Sequence, residues 1–141
     1  MTPLHKFVYY CGMKRVPLTV RAATDAGKLP LRERPLLGQG QADELVRLYK
    51  VLANDTRLRL LHALERAGEL SVTDLAAEVG MKPQAVSNQL QRLADRRIVA
   101  SRREGSRLIY RVADPCVTGL IDLGMCLLEE TGRLPGGEDG A

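Results

Sequence analysis

The most constraining feature of this chain is a series of leucine-rich helical stretches between residues 41 and 130, punctuated by residues that start or end helices. The first stretch predicts a helix over about 41–53, because its apolar residues recur at helical spacing: Leu45, Leu48, Tyr49 and Leu52. Asn54 or Asp55 is expected to cap a second helix that ends at Gly68. The inner stripe of this second helix is predicted to be Leu58, Leu61 and Leu64.

Two further helices follow, separated by a glycine. Ser71, with Asp74 three residues later, resembles a capping box and predicts a short third helix that ends at Gly80. Its expected core residues are Leu75, Ala76 and Val79. Pro83 suits the first turn of a fourth helix, which runs to about Arg96. A short helix, a turn that contains glycine and a longer helix together predict a helix-turn-helix.

A hairpin and a last helix complete the pattern. The runs Val99–Arg103 and Arg107–Val112 are strand-like, and residues 104–106 between them are typical of a hairpin turn. Asp114 and Pro115 then open an amphipathic helix from Cys116 to about Glu130. We therefore expect a mainly α fold with a small β-hairpin, a winged helix-turn-helix in the order α-α-α-α-β-β-α.

The two ends of the chain differ from this middle part. Residues 1–40 contain four prolines and four glycines without a long periodic run, which predicts a largely irregular extension with a short strand or helix around Phe7–Tyr10. Residues 132–141 form an acidic, glycine-rich tail that we expect to be disordered. Residues 41–131 are therefore predicted to be the folded domain.

Charge is distributed unevenly along the chain. The formal net charge is +4, with +5 on residues 1–40, +4 on residues 41–113 and −5 on residues 114–141. A basic middle part suits contact with a polyanion. No run approaches the ~18 apolar residues that a membrane span needs, and the N-terminus reads poorly as a secretory signal. We therefore expect a cytoplasmic protein with no membrane partner.

The fourth helix is predicted to read DNA. At ~100° per residue, Val86, Leu90 and Leu93 fall in one narrow sector and are expected to face the core. The opposite sector carries polar side chains: Gln84, Asn88 and Gln91, flanked by Ser87 and Arg92. Amide side chains pair with adenine edges, and arginine pairs with guanine or phosphate. A merely solvated face is the alternative, but the position after a turn and before a basic hairpin favours DNA.

The hairpin itself is the expected wing. Arg102 and Arg103 lie on one limb, and Arg107 and Arg111 lie on the other. Cations on a hairpin of this kind contact phosphates or follow the minor groove, which supplies affinity and register rather than base choice. Arg102, Arg103 and Arg107 are therefore candidate DNA-binding residues, although an ordinary solvated hairpin would also carry such charges.

Three sequence blocks resemble the ArsR/SmtB family of winged-helix repressors. They are residues 51–61 (VLANDTRLRLL), residues 86–90 (VSNQL), and residues 102–105 (RREG) with Tyr110. Gln89 stands where members of that family often have histidine. The resemblance implies a homodimer built on the first and last helices, binding to double-stranded operator DNA, repression without ligand, and release when an effector binds.

The resemblance also directs attention to two sites for an effector. Many members carry a Cys-x-Cys at the start of the third helix, but Ser71 and Thr73 occupy those positions here. Hydroxyls are poor ligands for soft metals, so we expect that site to be absent. Other members bind metal between paired last helices through Asp-x-His and His-x-x-Glu, and this chain has a similar pattern of Asp114, Cys116, Cys126 and Glu129.

Sulfur at this second site predicts a thiophilic effector. Arsenite, Cd²⁺, Pb²⁺, Hg²⁺ and Zn²⁺ are the candidate ions. Cys116 and Cys126 would be ~15 Å apart on one helix, so antiparallel pairing across a dimer is needed to bring one near the other. Cys11 is a candidate third thiolate, and Glu129 and Asp114 are further candidate ligands. Asp114 is more readily explained as the cap of the last helix. Three widely spaced cysteines also predict free thiols rather than a disulfide framework.

Other functions remain open at this point. The cysteines are alternatively buried structural residues or the sensors of a thiol redox switch. A DNA-binding regulator without any ligand is a further alternative. An enzyme is not expected, because the chain has no Cys-x-x-Cys motif, no glycine-rich phosphate loop and no grouping of nucleophile and base.

Overall fold

The computed structural model describes residues 7–10, 14–17, 29 and 31–134. The chain divides into two compact units, one formed by Arg34–Thr118 and the other by Met1–Glu33 with Gly119–Ala141. The acidic tail beyond residue 134 and most of the N-terminal extension lie outside the described residues, so the predicted domain boundaries stay predictions.

The described residues contain five α-helices in the expected positions: α1 (Gln39–Leu52), α2 (Asp55–Ala67), α3 (Val72–Val79), α4 (Pro83–Asp95) and α5 (Pro115–Glu130). They also contain five strands: β1 (Phe7–Tyr10), β2 (Lys14–Pro17), β3 (Leu70–Ser71), β4 (Val99–Glu104) and β5 (Arg107–Val112), besides a 3₁₀ turn at Leu31–Glu33. The predicted order of the winged helix-turn-helix is confirmed, with β3 added, since two residues were too few to reveal it. The strand β2 and the 3₁₀ turn in the N-terminal extension were not predicted either.

The helix ends form where capping chemistry predicts them. Asn54 Oδ1 accepts the backbone N–H of Arg57 at 3.0 Å, which starts α2. Ser71 Oγ accepts the backbone N–H of Asp74 at 3.1 Å, which starts α3. Gly80 ends α3 in the left-handed conformation at φ 69°, where a side chain would be strained. The turn into α4 is therefore tight.

The core of the Arg34–Thr118 unit is built from side chains of α2, α3 and α4. Its largest fully buried members are Leu60, Leu61, Leu64, Leu75, Val86, Leu90 and Leu93. The prediction that Leu58 belongs to this core is wrong, because its side chain is 37% exposed. At 3.6 residues per turn, Leu58 lies about 120° around the helix from Leu64, whereas Leu60 lies beside it.

A three-stranded antiparallel sheet attaches the hairpin to the start of α3. The strand order is β3-β5-β4, with Leu70 opposite Tyr110 and Ser71 opposite Ile109. Tyr110 is buried. Because Ser71 is also the cap of α3, the hairpin is joined to the residue from which the helix-turn-helix begins.

In the other unit, β1 and β2 form a small antiparallel ladder. Phe7 pairs with Pro17 and Tyr10 pairs with Lys14. The predicted short structure around Phe7–Tyr10 is therefore a strand. No helix of the described residues is long and apolar enough to cross a membrane.

The burial pattern of α2 gives a stability test. Leu64→Ala is expected to lower the free energy of unfolding by about 2–5 kcal/mol, because it leaves a cavity in the core. Leu58→Ala on the same helix is the matched control and should cost less than about 1 kcal/mol. Urea unfolding at one fixed protein concentration measures both, and equal losses would contradict the assigned core.

Candidate DNA interface and the thiols of the last helix

The orientation of α4 is fixed by its buried stripe. Val86, Leu90 and Leu93 are fully buried, so the opposite face of the helix meets solvent. That face carries the side chains that the sequence predicted: Gln84, Asn88, Gln91 and Arg92 are exposed and Ser87 is half-buried. The structure therefore brings these five candidate residues to one surface.

The amides on this surface are partly pre-oriented by bonds along the helix. Gln84 Nε2 donates to Asn88 Oδ1 at 3.1 Å, and Gln91 Nε2 donates to Asp95 Oδ1 at 2.9 Å. The first bond leaves Gln84 Oε1 as an acceptor and Asn88 Nδ2 as a donor. An acceptor beside a donor is the pattern that complements N6 and N7 of adenine in the major groove.

Arg102 on β4 is held by two carboxylates. Its Nη2 lies 3.0 Å from Glu69 Oε2, and its Nη1 lies 3.1 Å from Glu104 Oε2. The hydrogen bond that Arg102 donates to Glu69, together with the negative charge of Glu69, raises the pKa of Arg102 above its ordinary value. The guanidinium is charged at any accessible pH, with or without these carboxylates.

Arg107 on β5 reaches the cap of α3. Its Nη2 donates to Ser71 Oγ at 2.7 Å and lies 3.0 Å from Asp74 Oδ2. Glu69 and Asp74 are functional candidates that the sequence analysis missed, because their partners lie 33 positions away in the chain.

The two remaining wing arginines differ from this pair. Arg111 Nη1 donates to the carbonyl oxygen of Val112 at 3.4 Å. Arg103 is exposed, and it forms no ion pair with any residue that the structure describes. Among the described residues, Arg103 and Arg111 are therefore the wing cations that no carboxylate pairs with. Arg103 lies opposite Leu108 near the turn of the hairpin, whereas Arg111 lies opposite Ala100 near its base.

The last helix begins as the sequence predicted. Asp114 Oδ1 accepts the backbone N–H of Cys116 at 2.7 Å, so the Asp114 side chain caps α5. Thr118 Oγ1 donates to Glu65 Oε2 on α2 at 2.8 Å. Cys116 itself is exposed and is not disulfide-bonded.

The expectation that every thiol is free is wrong for Cys126, which is disulfide-bonded. A disulfide needs only that two Cβ atoms come close in the fold, and cysteine spacing in a sequence does not reveal this. Cys11 lies outside the described residues, and Glu129 is exposed. Among the described residues of one chain, no three histidine, cysteine or acidic side chains are grouped to hold a metal.

Apolar side chains are left uncovered on α1 and on α5. Leu45, Val46 and Tyr49 of α1 are exposed, as are Met125 and Leu127 of α5. Leu120 and Leu123 of α5 are half-buried. The three residues of α1 lie within about 100° of each other around the helix, and an exposed apolar patch of this kind is typical of a protein interface.

Comparison with known proteins identifies the family. A model of the MarR family matches residues 54–107, from the cap of α2 to the hairpin. A transcriptional repressor SmtB homolog of Synechocystis sp. is 34% identical over 110 residues, which cover 78% of this chain and 83% of that protein. The chain belongs to the ArsR/SmtB family. The sequence-based prediction of a DNA-binding transcriptional regulator that is not an enzyme is thereby confirmed.

Another repressor and two solved structures resemble the chain over a similar span. A probable mercury resistance operon repressor of Streptomyces lividans is 34% identical over 118 residues, 79% of this chain and 91% of that protein. The crystal structure of the AntR antimony-specific repressor is 62% identical with a TM-score of 0.66, covering 74% of this chain and 94% of that one. A homodimeric winged helix-turn-helix domain of Mycobacterium bovis is 35% identical with a TM-score of 0.59, covering 67% and 92%.

The exposed amides of α4 predict a loss of sequence specificity on substitution. Gln84→Ala or Asn88→Ala is expected to cost on the order of 1–3 kcal/mol on a preferred duplex and little on random DNA, because phosphate contacts remain. Fluorescence anisotropy with the two duplexes measures the difference. Equal losses on both would show that this helix does not read bases.

Proposed function

We propose that this repressor binds its operator as a homodimer and releases it when a thiophilic metal or metalloid ion binds thiolates of α5. The observation that carries the proposal is the exposed thiol of Cys116 on the helix that also carries Cys126, in a chain 62% identical to an antimony-specific repressor. The ArsR/SmtB family supplies the DNA-binding part of this activity, and the chain's own sulfur atoms supply the sensing part.

Operator recognition is assigned to α4 and the wing. Gln84, Asn88 and Gln91 contact base edges, since their amides point outward and carry both donors and acceptors. Ser87 and Arg92 flank them and contact the sugar-phosphate backbone. Arg103 adds a phosphate contact from the wing. In a dimer the two α4 helices enter successive major grooves, ~34–36 Å apart, which predicts an imperfectly palindromic operator.

The dimer is assigned to the exposed apolar face of α1 together with α5. Leu45, Val46 and Tyr49 lie within two turns of α1, and burying them against a second copy removes apolar surface from water. The homodimeric state of a related winged-helix domain supports this arrangement.

The donor set fits a thiophilic ion only under two conditions. The described residues of one chain do not form a three-ligand group, so the site requires a second chain or the undescribed Cys11. Cys126 is disulfide-bonded, so reduction must precede binding. When bound, the ion would bridge thiolates and so bias how the two protomers are held. Asp114 is assigned to capping rather than ligation.

Among thiophilic ions, we expect trivalent antimony or arsenite to be the strongest effector. The mercury and antimony regulators that resemble this chain support a soft acceptor, and thiolates prefer soft ions. Thiolates bind only when deprotonated, so uptake releases protons and weakens at acid pH. Cd²⁺, Pb²⁺, Hg²⁺ and Zn²⁺ remain the competing effectors in a binding panel.

A thiol redox switch is the second candidate function. The disulfide at Cys126 favours it, because oxidation alone could then change the conformation at α5. The two functions separate in one assay: release of reduced protein by antimonite without oxidant supports metal sensing, and release by oxidant without metal supports the switch.

Cysteine substitutions test the sensing site. Cys116→Ser and Cys126→Ser are expected to leave the affinity of the metal-free protein for operator within about twofold of wild type, yet to abolish release by antimonite under reducing conditions. Coupling between ligands typically amounts to 1–3 kcal/mol, or about 5- to 150-fold in operator affinity for the wild type. Electrophoretic mobility shift with a titration of antimonite measures it.

Two controls make this result interpretable. Cys11→Ser should affect release less than either α5 variant, because Cys11 is assigned only as an additional ligand. Normal release by both α5 variants would rule out the proposed thiols while leaving DNA binding intact.

The dimer assignment is tested by charge on α1. The double variant Leu45→Asp with Val46→Asp should convert the dimer to a monomer at micromolar concentration, because it places unpaired carboxylates in the interface. Leu108→Asp on the wing, at 37% exposed against 36% for Leu45, is the matched control and should stay dimeric. Light scattering distinguishes the two, and a dimeric α1 variant would refute the assignment.

A further inference from the structure

We propose that Glu69, Ser71 and Asp74 fix the orientation of the wing by holding Arg102 and Arg107. These two arginines are then positioning residues, and Arg103 is the wing residue that contacts phosphate. The inference deepens the proposed DNA-binding function and rests on it. It departs from the expectation, drawn from the sequence, that Arg102 and Arg107 contact DNA themselves.

The first support is that both strands of the wing reach the same segment. Arg102 on β4 contacts Glu69 at 3.0 Å, and Arg107 on β5 contacts Asp74 at 3.0 Å. Glu69 and Asp74 flank β3 and the cap of α3. The hairpin is therefore tied through each of its strands to the residues from which the helix-turn-helix begins.

The second support is that the Ser71 hydroxyl is fully used. It accepts the Asp74 N–H at 3.1 Å, accepts Arg107 Nη2 at 2.7 Å and donates to Asp74 Oδ2 at 2.8 Å. One donor and two acceptor lone pairs are all that a serine hydroxyl offers. Ser71 is only 2% exposed, so its hydroxyl is a buried anchor for the side chains of Arg107 and Asp74, which are themselves 56% and 57% exposed.

The third support is the charge left over on the wing. Arg102 faces two carboxylates and Arg107 faces one, so little of their positive charge remains to attract a phosphate. Arg103 lies between Arg102 and Arg107 in the sequence, and it takes part in none of these ion pairs. The three arginines nearest the turn of the hairpin thus have two tasks: Arg103 binds DNA, and Arg102 and Arg107 hold the wing in place.

The direction in which Asp74→Asn changes the affinity for DNA distinguishes a positioning role of Arg107 from direct contact with phosphate. If Arg107 contacts phosphate, Asp74→Asn removes a nearby negative charge and should tighten DNA binding. If Asp74 positions the wing through Arg107, the same change should weaken binding. The substitution keeps the size of the side chain and preserves the backbone bond from residue 74 to Ser71.

The experiment measures affinity and its salt dependence on a duplex selected by the wild-type protein from a randomised library. Asp74→Asn and Arg107→Gln should each weaken binding about three- to tenfold, and the double variant should be no weaker than either. The salt slope should stay unchanged for all three. Arg103→Gln should weaken binding and also reduce the slope by about 0.9, as one lost phosphate contact does.

Glu78→Gln is the matched control, because Glu78 is an exposed acid on the same helix and forms no ion pair with the described wing. It should bind DNA as well as the wild type or slightly better. If Asp74→Asn alters folding, Glu69→Gln and Arg102→Gln repeat the test at positions outside any helix. They too should weaken DNA binding while leaving the salt slope unchanged.

Two results would overturn the inference. Tighter binding by Asp74→Asn is one, and a slope reduced by about 0.9 in Arg107→Gln is the other. Either would leave DNA binding itself in place, whereas a wild-type protein that selects no duplex would contradict the proposed function and this inference together.

Discussion

The burial of one apolar stripe of α4 fixes the orientation of the helix, and the position of the DNA-binding surface depends on that orientation. Val86, Leu90 and Leu93 have no exposed surface, and their place against α2 and α3 leaves α4 no freedom to rotate. Since a helix that buries one side must present the other, the amides of Gln84 and Asn88 reach solvent as a consequence of core packing. The recognition surface is thus held by hydrophobic contacts rather than by polar ones.

The wing depends on a different kind of constraint. Its attachment combines the backbone ladder between β3 and β5 with the side-chain network at Ser71. A two-residue strand alone would attach the wing weakly. Here Ser71 pairs with β5 through its backbone and with Arg107 through its hydroxyl. Ser71 is therefore the buried residue at which the backbone and side-chain attachments of the wing coincide.

Local chemistry made much of this visible in the sequence. The caps at Asn54 and Ser71, the glycine at residue 80 and the buried stripe of α4 all follow from residues within one or two turns of each other. The features that sequence reasoning missed depend on distant partners. Arg107 meets Ser71 across 36 positions, and the disulfide at Cys126 depends on proximity that no spacing encodes. Leu58 was misassigned because two overlapping leucine stripes fit α2, and only tertiary packing chooses between them.

The order β3-β5-β4 makes β4 an outer strand of the described sheet. An outer strand exposes unpaired backbone donors and acceptors, which another chain can join. Residues 102–104 of this strand are two arginines and a glutamate, and charged side chains at a sheet edge discourage such joining. The charges of the wing therefore have a second consequence, because replacing them with apolar residues would expose an uncharged sheet edge and favour strand-to-strand aggregation.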